Sequence, residues 1–146
     1  MDHFNYRNGQ LYAEDVSVAE IAASVGTPFY VYSTATLVRH FKLFDDALDG
    51  LDHCICYAMK AASNQAILKT LGNLGAGMDV VSGGEYRRAI SAGIPSEKIV
   101  FSGVGKTLEE IKLVLQNGIR QFNVESESEL KHISSVASSM NTLAPI

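Results

Sequence analysis

From His53 onward one unit repeats four times. Four short runs rich in apolar residues, HCICYA (His53 to Ala58), MDVV (Met78 to Val81), KIVFS (Lys98 to Ser102) and QFNV (Gln121 to Val124), are each followed by a longer stretch of helical periodicity. Strands of near-continuous apolar character joined by crossover helices build a parallel sheet. The class is therefore α/β, and the architecture is either an open doubly wound sheet or a barrel. No glycine-rich dinucleotide turn follows the first strand, which favours a partial (β/α)8 TIM barrel of about the first four βα units. The helices carry their own punctuation. Thr107 with Glu110 and Ser126 with Glu129 have capping-box spacing, and Gly118 stands where a helix through LEEIKLVLQN ends.

The first part of the chain reads differently. In FNYRNGQLYAE the Asn8-Gly9 pair predicts a hairpin, because both positions tolerate positive φ. Val18, Ile21 and Val25 then fit one face of a helix that Gly26 and Pro28 stop. PFYVYS predicts a buried strand, and Thr34 to Leu48 a helix with Leu37, Phe41, Phe44 and Leu48 in one stripe.

Composition removes several functions. The 146 residues are 47% hydrophobic and 19% charged, ordinary for one soluble globular unit. A net charge of −4 without a Lys/Arg run argues against a nucleic-acid surface or an anionic-membrane patch. The polar N-terminus MDHFNYRNGQ has no apolar leader segment, and no uncharged apolar run approaches the roughly 20 residues of a membrane span. A cytoplasmic protein acting on a small molecule is the expectation. Strand periodicity points Cys54 and Cys56 the same way without the geometry of an ordinary structural disulfide, and two are too few for zinc, so they read as buried, reduced thiols.

Several motifs invite chemistry and fail. GVGKT ends like a phosphate-binding loop, but that pattern needs glycine at the position of Val100; it reads as a strand-to-helix turn capped by Thr107. GAGMDV has its glycines before a strand, not after one. His3, His40, His53 and His132 are scattered, with no partner at metal-ligand spacing, so no metal site is expected. The carboxylates of ESESEL read as helix capping.

Lys60 stands apart. If HCICYAMK is a barrel strand, alternation sends Cys54, Cys56, Ala58 and Lys60 to one face and Ile55, Tyr57 and Met59 to the other. The small set would leave space inside the barrel and put Lys60 at its C-terminal mouth, where barrel enzymes keep their chemistry. The same parity turns Asp79 inward with Val81 on the neighbouring strand. Periodicity alone still leaves Lys60 as an ordinary solvated lysine in a loop. Lys69, inside a helical pattern, and Lys106, in a turn, read as solvated.

YAMKAASN, LGAGMDVVSGGEYRRAISAGIPSEKIVFSGVGKT and GIRQFNVESESEL, with the N-terminal FNYRNGQLYAEDVSVAEIAASVGTPFYVYS, closely resemble the N-terminal portion of the diaminopimelate decarboxylase family, within the alanine-racemase-like pyridoxal-phosphate enzymes. The resemblance implies a barrel and a β-rich second domain, with residues 1–32 associated with the latter and 33–146 forming the first half of the barrel. It implies pyridoxal 5'-phosphate as cofactor, Lys60 as its Schiff-base lysine, Asp79 beside it, and decarboxylation of meso-2,6-diaminopimelate to L-lysine by a homodimer. One position departs: Ala62 stands where the family usually has Asn, with Asn64 two residues later. The remaining site groups would lie beyond Ile146, so the chain by itself is expected to be inactive. A non-catalytic cofactor binder or a purely structural half barrel is the alternative.

Overall fold

In the computed structural model, which describes residues 2–146, the chain forms two compact units that divide after Asp49. In the first, Asn8 and Gly9 take φ of 51° and 78° and turn β1 (Phe4–Arg7) into β2 (Gln10–Ala13), pairing Arg7 with Gln10 and Phe4 with Ala13. A third strand that periodicity did not reveal, β3 (Val16–Ser17), continues the antiparallel sheet. Helix α1 (Val18–Val25) ends at Gly26, whose φ of 79° suits glycine.

Helix α2 (Thr34–Ala47) is tied into this unit at its start. Glu14 Oε1 accepts from both Ser33 Oγ and Ala35 N at 2.8 Å, and Ser33 Oγ accepts from Thr36 N at 3.0 Å. These bonds satisfy amide groups that an uncapped helix leaves open. The compact unit ends at Asp49, whereas the sequence reading divides the full enzyme at 32/33. PFYVYS is corrected. Among the described residues no strand pairs with it, and without a ladder Tyr30 and Tyr32 are 91% and 51% exposed.

The second unit alternates as the repeat requires: β4 (Cys56–Ala58), α3 (Gln65–Asn73), β5 (Gly77–Val80), α4 (Gly83–Ser91), β6 (Ile99–Phe101), α5 (Leu108–Asn117), β7 (Gln121–Phe122) and α6 (Glu127–Ser139). The sheet is parallel, in the order β4-β5-β6-β7. Met78, Val80, Ile99, Phe101 and Phe122 are at most 1% exposed, and the helices bury Leu68, Tyr86, Ile111 and Ile133. The alternate residues Cys56, Ala58, Asp79, Val100 and Gln121 lie on the opposite face and are only partly covered. Helices thus line one side of the sheet, the arrangement of a barrel segment.

The strands are shorter than their apolar runs, but the ladder reaches past them. Gly77 N bonds to Ile55 O, Ser102 N to Val80 O and Asn123 N to Phe101 O, at 2.8–2.9 Å. Gly77 belongs to a close approach: a Cβ there would stand 2.2 Å from the Lys98 carbonyl oxygen. The outer edge of β7 is partly occupied, since Phe122 N donates to Pro145 O at 2.8 Å.

Candidate functional site

Strand β4 stops at Ala58 and a single 3-10 turn, Met59–Ala61, follows. The reading of Lys60 as the last inward residue of a continuous strand is corrected, because parity ends one residue before the turn. Met59 anchors that turn at 0% exposure, while Lys60 projects from it, exposed. Tyr57 Oη donates to Ala62 O at 3.2 Å across the turn, so the position that departs from the family pattern contributes its carbonyl. Asn64 caps α3 by accepting from Ala66 N at 2.8 Å.

Asp79 sits in register between Ala58 and Val100. Its neighbours Met78 and Val80 are wholly buried toward the helices, which turns Asp79 to the helix-free face. Among the described residues its Oδ1 is buried without a hydrogen-bond partner. A buried acceptor without a donor is costly, and native structures keep few of them.

The two thiols lie on the same face with their Sγ atoms 3.8 Å apart, free and half-buried where full burial was expected. Burial above all, then the adjacent Cys54, pushes the Cys56 thiol up to about 12. It remains a protonated thiol at neutral pH and leaves the nucleophilic chemistry to other groups.

Sequence reading missed a polar row at the same end of the sheet. Gln121 Nε2 donates to Asn123 Oδ1 and Asn123 Nδ2 donates to Ser102 Oγ, both at 2.8 Å. The signal was present in QFNV, where the polar Gln121 and Asn123 alternate with the buried Phe122.

Lys106 is the largest correction. Read as solvated, its side chain is 1% exposed, and Nζ donates to Gly103 O, Asn123 O and Glu129 Oε1 at 2.8–2.9 Å. A turn with acceptors on three sides draws the ammonium inward. Glu129 is corrected with it. Ser126 Oγ accepts from Glu129 N, but the carboxylate goes to Lys106 and to Glu125 N instead of closing the capping box. Thr107 and Glu110 do close theirs. Of the histidines, His3 Nδ1 meets Thr36 Oγ1 and His53 Nδ1 meets Leu51 O, while His40 and His132 are exposed. Among the described residues no group of His, Cys, Asp and Glu could hold a metal, and no helix is long and apolar enough to cross a membrane.

A parallel βα sheet with helices on one side is a barrel segment, and here an exposed lysine just past one strand end stands one strand away from an unsatisfied carboxylate. A profile of the pyridoxal-dependent decarboxylases, pyridoxal binding domain, matches residues 34–145, and the chain belongs to that family. It is 52% identical over its whole length to the diaminopimelate decarboxylase of Vibrio cholerae and 50% identical to that of Haemophilus influenzae, and it spans 35% of each. The solved diaminopimelate decarboxylase of M. jannaschii, in complex with L-lysine, superposes on 97% of the chain with a TM-score of 0.88 at 37% identity, over 34% of that structure. The Helicobacter pylori enzyme, also complexed with L-lysine, matches 86% of the chain at 44% identity, with a TM-score of 0.83 and 32% of its own length covered.

The family implies a pyridoxal phosphate cofactor, and the residues present fit one. Lys60 offers the primary amine, and Asp79 Oδ1 offers an acceptor that lacks its donor.

Proposed function

We propose that the full-length protein decarboxylates meso-2,6-diaminopimelate to L-lysine, that Lys60 carries its pyridoxal phosphate and that Asp79 positions the cofactor or the Lys60 amine. The observation that carries this reading is the pairing of Ala58 with Asp79, which sets an unpartnered carboxylate oxygen one strand away from the Lys60 turn. Relatives that match the whole chain at about half identity bear the name of this activity, and two solved relatives hold L-lysine.

Bound pyridoxal phosphate supplies the electron sink that takes up the pair left when a Cα carboxylate departs as carbon dioxide. The chain's own residues do the rest. Lys60 would hold the cofactor through the Nζ at the end of its exposed stem. Met59, buried, and the Tyr57-to-Ala62 hydrogen bond fix the backbone from which that stem swings. Asp79 Oδ1 would accept from a proton-bearing group of the cofactor or from the Lys60 ammonium, a bond that would offset its desolvation.

The enzyme works in this reading as a cytoplasmic homodimer, with residues 1–32 assigned to a β-rich domain and 33–146 to the barrel. The test is carbon dioxide release by the full-length protein, supplied with pyridoxal phosphate and offered meso-diaminopimelate, L-ornithine or L-lysine in turn. Release from diaminopimelate with L-lysine as product is expected. Release only from ornithine or lysine would overturn the substrate assignment.

A further inference from the structure

Lys106 and Glu129 are a buried ion pair that the proposed chemistry does not use. Taking both charges out of water costs several kcal/mol, and apolar residues of similar size commonly pack as well or better. Stability is therefore a weak reason for a lysine here. What an apolar side chain cannot supply is three donors, and two of these go to backbone carbonyls of different loops: Gly103 O after β6 and Asn123 O after β7. Both loops lie at the C-terminal edge of the sheet. Lys106 reaches them from the helix side, its Nζ 5.7 Å from the centre of the buried Phe101 ring.

The two loops are joined a second time, because Gly103 N donates to Glu125 Oε1 at 3.1 Å. Gly103 is thus held by both its amide and its carbonyl. Asn123, gripped through its carbonyl from behind, extends its side chain on the other face to Ser102 Oγ and Gln121 Nε2. That face is the one that carries Asp79.

Resting on the function proposed above, we infer that Lys106 is a positioning residue for the decarboxylation: its three bonds set the Ser102–Asn123–Gln121 row that faces the amino-acid substrate. The ion pair fixes the backbone and the row makes the contact.

The experiment uses the full-length holoenzyme and three variants: Lys106→Met, Lys106→Met with Glu129→Met, and Asn123→Ala. Turnover is measured on whichever amino acid the unmodified enzyme decarboxylates fastest, so an error in the substrate assignment appears in the unmodified enzyme and leaves the comparison intact. Lys106→Met strands a buried carboxylate and lowers the melting temperature. The double variant regains the melting temperature while kcat stays roughly 10- to 100-fold down, the scale of a misplaced site, with cofactor absorbance retained. Return of kcat to the unmodified value together with the melting temperature would reduce the pair to a structural role and overturn the inference. Should the double variant fold poorly, Asn123→Ala decides. It leaves the Lys106 bonds to backbone and Glu129 in place, and a similar loss of kcat at unchanged melting temperature is expected. Unchanged kcat in Asn123→Ala would overturn the inference.

Discussion

Asp79 Oδ1 pays a desolvation cost that no donor among the described residues offsets. Asp79→Ala should therefore leave the cofactor-free protein as stable as before, or more stable by up to about 1 kcal/mol. The same substitution should weaken pyridoxal phosphate binding and turnover in the full-length enzyme. Chemical denaturation without cofactor, set beside cofactor titration, checks both halves; a large loss of stability without cofactor would give Asp79 a structural role instead. The residue itself was legible in the sequence, since period-2 alternation between Met78 and Val80 fixes its face. Lys106 was not. A local pattern says that a lysine stands in a turn, but its acceptors Asn123 and Glu129 arrive from distant parts of the chain, and only the fold brings them together.

At the scale of elements, helix starts were the most readable feature because their signals are local. Thr107 Oγ1 accepts from Glu110 N while Glu110 Oε2 accepts from Thr107 N and Oγ1, and Glu110 Oε1 also accepts from Gly83 N at the start of α4. Thr107→Ala should cost about 1 kcal/mol, read from the denaturation midpoint. Glu110 also gives the fold an acid-sensitive contact. Burial would raise its carboxyl, but the hydrogen bonds from Gly83 N, Thr107 N and the Thr107 hydroxyl together outweigh it and hold the group below its ordinary 4.5. A depressed folded-state value means that this stability is present above 4.5 and is lost as the pH falls through the folded value. Melting temperature followed into acid should fall less steeply for Glu110→Gln than for the unmodified protein. Strand limits were less readable. Only three of the six residues of HCICYA form a strand, and PFYVYS forms none, because a strand exists through its neighbour and apolar runs do not say where pairing stops.

At the scale of the molecule, the repeat made the four-stranded parallel sheet legible and the resemblance carried the barrel. The Glu14 contacts to the start of α2 are long-range bonds that no periodicity encodes. Among the described residues β4 is an edge strand, and the helix-free face presents Cys56, Ala58 and Val100 only partly covered. Bare edges and half-covered sheet faces recruit other chains. The 146-residue chain by itself should elute above its monomer size and release no carbon dioxide; a monodisperse, active monomer would contradict this. The central claim is that Lys60 carries the cofactor, and one measurement reaches it most directly. Borohydride reduction of the full-length holoenzyme fixes the cofactor to the lysine that holds it, and peptide mapping then reads the position. The account predicts the pyridoxyl group on the peptide containing Lys60 and its loss in Lys60→Ala, whereas a label on Lys69, on Lys106 or on no lysine of this region would contradict it.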